Sequence, residues 1–139
     1  MIRALLIAIL AMPWILSAQQ TGNEWIHYEQ KYYKIKVWND GVYRIPFSLL
    51  SSSIPEIGGI PPDRIQLFGR GEEQHIHIEG GSDGTWDTGD YIEFYGQKND
   101  GWFDRQLYAD SLDQSNPYHS LFSDTAVYFL TWNESGSNR

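Results

Sequence analysis

The chain has 139 residues, no cysteine, and 18 acidic against 10 basic residues, for a formal net charge of −8 at neutral pH. That balance repels phosphate backbones and anionic lipid headgroups, so neither nucleic acid nor a membrane surface is an expected partner. Without a disulfide to staple it, a single domain of this length must draw its stability from a hydrophobic core.

Residues 1–18 have the three-part layout of a secretory signal peptide, with Arg3, the apolar run Ala4 to Leu16, and the small pair Ser17 and Ala18 before Gln19. The apolar run is broken by Pro13 and falls short of the roughly 20 residues that span a bilayer, which argues against a membrane anchor. Cleavage after Ala18 is expected, with no membrane span afterwards. The product would then be exported to the periplasm, the outer-membrane surface or the medium. Residues 19–24 read as a polar tether, 25–132 as a β-rich domain, and 133–139 as a truncated end or linker.

Abundant aromatic residues and regularly spaced turn signals favour strands over helices after residue 18. The expected fold is mostly β, an antiparallel sandwich-like domain with one short helix. Tyr33 to Val37 alternates, with Tyr33, Ile35 and Val37 on one face and Lys34 and Lys36 on the other, as a half-buried strand requires. Val42 to Ile45 is its expected hairpin mate across the turn Asn39-Asp40-Gly41. Pro46 cannot donate to a ladder and should end that strand. The helix is expected within Phe47 to Ile57, capped by Ser48 and limited to about two turns by the serines and Pro55. Ile65 to Phe68 reads as a strand. Gly69-Arg70-Gly71 lacks the lysine and following helix of a phosphate loop and reads as a tight turn.

His75 to Glu79 and Tyr91 to Tyr95 form a second expected hairpin around a long acidic loop. His75, His77 and Glu79 emerge on one face, with Ile76 and Ile78 on the other. Those three could ligate zinc, but the alternation also describes a solvated face opposite a core face, and the isoleucines favour the latter. Gly80-Gly81-Ser82-Asp83-Gly84 spells a nucleophile elbow. That motif needs a strand-to-helix turn, whereas here a strand follows. Asp83, Asp87 and Asp90 are candidate calcium ligands, since carboxylates and carbonyls of a Gly-rich loop can close around an ion. The EF-hand spacing fails, and the alternative is a turn whose Asp side chains cap their own backbone.

Asn99-Asp100-Gly101 marks another turn, and Trp102-Phe103 beyond it brings two large rings together, either as core or as a sugar-stacking platform. Asp110 to Asp124 is a polar loop broken by Pro117. Thr125 to Trp132 is the last strand, with Val127 and Phe129 on one face and Tyr128 and Leu130 on the other. One of those faces is expected to await a following domain.

Several of these runs resemble a known family. Tyr33-Lys34-Ile35-Lys36-Val37 followed by Asp40-Gly41-Val42-Tyr43-Arg44-Ile45 looks like the start of the gingipain-like cysteine peptidases of Bacteroidetes. Leu67-Phe68-Gly69, the run Gly89-Asp90-Tyr91-Ile92-Glu93-Phe94-Tyr95-Gly96, and Asp124-Thr125-Ala126-Val127-Tyr128-Phe129-Leu130-Thr131 resemble the amino-terminal region of that family. Its relatives include the sortase of the type IX secretion system, PorU. The family's catalytic Cys and His lie in a later, caspase-like domain, so the resemblance assigns no catalytic residue and no cofactor here. It implies a non-catalytic accessory domain, a fragment of an exported cysteine peptidase or sortase. Its partners would be the following peptidase domain of the same polypeptide and secretion-system proteins. The alternative is a free-standing secreted module that binds a glycan or cell-surface ligand through Trp86, Trp102 and neighbouring tyrosines.

Overall fold

The computed structural model describes residues 23–134. The expected signal peptide, residues 19–22 of the tether, and residues 135–139 lie outside the described residues. Among the described residues seven strands and one helix follow in chain order: β1 Tyr33–Val37, β2 Gly41–Pro46, α1 Phe47–Ser53, β3 Ile65–Gly69, β4 Glu72–Glu73, β5 Ile76–Glu79, β6 Tyr91–Gly96 and β7 Ala126–Trp132. Short 3-10 turns fill several of the connections. The strands make two antiparallel sheets, one ordered β1-β7-β3-β4 and the other β2-β6-β5. This is the sandwich-like, mostly β architecture expected, and no described helix is long and apolar enough to cross a membrane.

The core lies between the sheets. Val37, Ile65, Leu67, Tyr128 and Leu130 face it from one sheet and Ile92 and Phe94 from the other, while Leu50, Ile54 and Ile57 close one side. Phe94 and Tyr128 meet across it with ring centroids 5.5 Å apart. The Tyr128 hydroxyl satisfies its polar end by accepting from the Gln97 N–H at 2.9 Å. An aromatic ring can thus fill the centre while its polar end ties the sheet to the next loop.

The first hairpin expected from sequence does not form. β1 pairs with β7, with Tyr33 opposite Leu130, and β2 pairs with β6, with Ile45 opposite Ile92, so Asn39-Asp40-Gly41 crosses from one sheet to the other. The Asp40 carboxylate accepts from the Lys98 N–H at 2.8 Å instead of closing a local turn. The Tyr43 hydroxyl donates to the Asn39 carbonyl, holding the corner open. β2 does end at Pro46, and the helix begins at once. Its N-cap is therefore Pro46 and not Ser48, which sits inside the first turn, and the Phe47 N–H is satisfied by the Asp90 carbonyl at 2.8 Å.

The outer face of β7 differs from expectation in a second way. Phe68 and Phe129 both project outward there, and Trp25 stacks on Phe68 at 4.9 Å and packs against Phe129 at 5.2 Å. Lys31 extends this cover, its carbonyl accepting from the Thr131 hydroxyl at 2.8 Å. The sequence leads to the expectation of a following domain over one or other face of this strand; the chain's own segment 25–32 lies over this one, where Val127 is exposed.

Candidate functional site

The hairpin β5–β6 forms as expected, with Ile78 opposite Ile92 and Glu79 opposite Tyr91, and presents the acidic loop at its end. His77 and Glu79 lie on the exposed face and pair at 3.1 Å, while Ile76 and Ile78 turn toward the core. Ser82 stands in an exposed 3-10 turn, Gly81–Asp83, between two strands. That turn offers no strand-to-helix bend to strain and present a hydroxyl.

Within the loop the candidate aspartates act on their own backbone. Asp83 accepts from the N–H and the hydroxyl of Thr85 at 2.9 and 3.0 Å, and these bonds hold its carboxyl below the usual range. Asp90 is only 7% exposed and accepts from the Asp87 N–H at 2.7 Å. Gly80, at a φ of 86°, lies directly under the Asp90 carboxylate, where a Cβ would collide with it. Among the described residues no group of three or more His, Asp or Glu side chains is placed to hold a metal ion.

Trp86 was a candidate ligand-stacking ring, and the structure puts it in the core. It is 8% exposed, stacks on Phe47 at 5.4 Å, and donates from Nε1 to the Ile60 carbonyl at 2.8 Å. Trp102 is placed differently, at the rim of a surface cleft of about 460 Å³ whose walls include Trp25, Arg70, Phe103, Val127 and Phe129.

That cleft is organised by Arg70, which in the sequence reads only as part of a turn. Arg70 and Gly71 are the two central residues of the β3–β4 connection, with φ of 56° and 86°, and both positive values suit a two-residue hairpin turn. Among the described residues Arg70 is the non-glycine residue with positive φ. Its Nη2 donates to both carboxylate oxygens of Asp100, at 3.0 and 3.1 Å, and its guanidinium sits 5.2 Å from the Trp102 ring centroid. Burial works to raise the Asp100 pKa, but the bonds from Arg70 and from the Trp102 N–H outweigh it, and the net shift is downward. An Arg in a position that favours Gly or Asn was the available signal in the sequence.

A second cleft, of about 510 Å³, lies beside Lys31, Glu56 and Trp132. Lys31 Nζ and the Tyr33 hydroxyl both donate to Glu56 Oε1, at 3.0 and 2.8 Å. These donors, led by Lys31, hold the Glu56 pKa down at about 2.

Fold and clefts together define a small antiparallel β-sandwich with an aromatic, Arg-bearing surface groove. No family model matches the chain, and no curated protein and no solved structure matches it either.

Proposed function

We propose that the chain is the non-catalytic amino-terminal accessory domain of an exported, gingipain-like cysteine peptidase or type IX secretion sortase. In this reading residues 1–18 direct export, and the domain packs against the peptidase domain that follows it in the same polypeptide. The observation that carries the reading is where the resembling stretches fall. Gly89 to Gly96 and Asp124 to Thr131 contain most of β6 and β7, each a strand with a neighbour on both sides in its sheet. Such strands dictate how a sandwich packs, so a resemblance concentrated in them is the kind that shared architecture leaves.

The absence of cysteine supports a non-catalytic role, because a cysteine peptidase needs a thiolate beside a base. A surface suited to docking is also present. Leu107, Leu112, Tyr118, Leu121 and Phe122 are all exposed within one connection between β6 and β7. Yet that connection is ordered from within, since Asp104 is buried and accepts from the Ser120 hydroxyl at 2.8 Å and the Leu121 N–H at 3.3 Å. A fixed loop that displays large apolar side chains is a feature of interaction surfaces. The test is to read the gene beyond the codon for Arg139. A frame that runs on into a domain bearing Cys and His agrees with the proposal, and a stop codon there refutes it.

A further inference from the structure

We propose that the cleft between the β3–β4 turn and residues 100–103 is a binding site for a neutral saccharide. The inference does not depend on the accessory-domain reading. It starts from the backbone of Arg70. A left-handed residue in a two-residue turn is served best by Gly or Asn, so the turn itself gains nothing from an arginine side chain. What the position supplies is a guanidinium fixed in one place, bonded to Asp100 and lying over the Trp102 ring.

A purely structural staple would explain the Asp100 contact but not the rest. Both bonds to Asp100 come from Nη2 alone, and among the described residues no acceptor is bonded to Nε or Nη1. Arginine carries five N–H donors, so a fan of donors points away from the staple. The side chain keeps 21% of its surface exposed, at the cleft. Asp100 Oδ1 also takes the Trp102 N–H, whereas Oδ2 takes only Arg70 and retains acceptor capacity. Asp100 therefore fixes the guanidinium, and Arg70 is the residue of the pair that lines the cleft and offers hydrogen-bond donors to hydroxyls there.

The rings supply the other half of the recognition. Phe103 is 54% exposed and meets Trp102 edge-on at 5.4 Å, so the two rings form an angled wall. Arg70 covers one face of Trp102, which leaves Phe103 and the floor around Phe129 for apolar contact. A pyranose has an apolar C–H face and a rim of hydroxyls, and it would set the first against the rings and the second against the donors of Arg70 that Asp100 does not take. Charge selects within that class. Arg70 is already neutralised by Asp100 and the chain as a whole is acidic, so an anionic sugar gains little here.

The test is calorimetric titration of the full chain with maltohexaose, cellohexaose and chitohexaose. At least one is expected to bind with a dissociation constant of about 1 mM or tighter. Trp102→Ala and Arg70→Gly should each weaken that binding by about tenfold or more. Arg70→Gly is the decisive variant because glycine suits the turn, so the fold survives while the guanidinium is lost, as near-ultraviolet circular dichroism would verify. Tyr95→Ala, at an exposed ring on β6, should leave the affinity unchanged. Absence of binding by all three sugars overturns the proposal. So does binding that survives both cleft variants or is lost equally in Tyr95→Ala. None of these results bears on whether a peptidase domain follows.

Discussion

Trp86 shows how little the immediate neighbours of a residue reveal about its direction. It sits among Gly, Thr and Asp, where a large ring looks available to a ligand, yet it turns inward and packs on Phe47 with its N–H bonded to Ile60. Truncating a ring buried this way costs about 3–5 kcal/mol, so Trp86→Ala should lower the urea midpoint sharply. Trp86→Phe should cost less, and an unchanged midpoint for the alanine variant would contradict the burial. Among the described residues Glu56 has the most strongly shifted ionisation. Its pKa falls from an ordinary 4.5 to about 2 because Lys31, its own backbone N–H and Tyr33 all donate to it. Between those values the unfolded chain holds more protons at this site than the folded one, so the stabilisation is whole above pH 4.5 and is lost as pH falls toward 2. Other carboxylates titrate in the same window. The expected observation is therefore a difference: urea midpoints of the wild type and Glu56→Gln should converge as the pH drops through that range.

At the scale of elements, what was legible in the sequence was local. The β5–β6 hairpin shows in its alternation, and the β3–β4 turn shows in Gly-Arg-Gly, because period and turn chemistry act over a few residues. The partners of β1 and β2 were not legible. Asn39-Asp40-Gly41 satisfies every local condition for a hairpin, but Asp40 reaches Lys98, 58 residues away, and the strands part into different sheets. Likewise Trp25 looked like the start of order and turned out to cover Phe68 and Phe129, a contact that only the assembled sheet creates. The candidate site followed the same rule, since Arg70 and Asp100 lie on separate loops and meet only in the fold. The acidic loop yields two expectations of its own. Gly80→Ala should destabilise the protein by about 1–3 kcal/mol, because the position has positive φ and the added methyl meets the Asp90 carboxylate. A variant as stable as the wild type would show that the loop can move aside. Asp83 and Asp90 already direct their oxygens at N–H groups of the loop, so millimolar calcium should leave the melting temperature where excess chelator leaves it. A rise of several degrees would instead establish Asp83, Asp87 and Asp90 as ligands.

At the scale of the whole molecule, two parts of the surface are finished differently. Segment 25–32 lies over the outer face of β7, so Phe68 is buried and Phe129 only partly exposed. The connection between β6 and β7 does the reverse. Buried Asp104 gathers the N–H of Leu121 and the hydroxyl of Ser120, and Gln114 donates to the Gly101 carbonyl at 3.3 Å, so the loop has a fixed interior. Its large apolar side chains are nonetheless outside, with Leu112 88% and Phe122 74% exposed. If a following domain covers them in the parent protein, the separate chain leaves them in water, where two copies can shield each other. The full chain should therefore associate as its concentration rises, seen as a concentration-dependent sedimentation coefficient. Changing Leu112→Ser and Phe122→Ser together should reduce that association without lowering the urea midpoint, because neither side chain contributes to the core. Loss of stability in the double variant would mean that these side chains pack within the domain. A wild type that stays monomeric at every concentration would remove the argument that this loop is a docking surface.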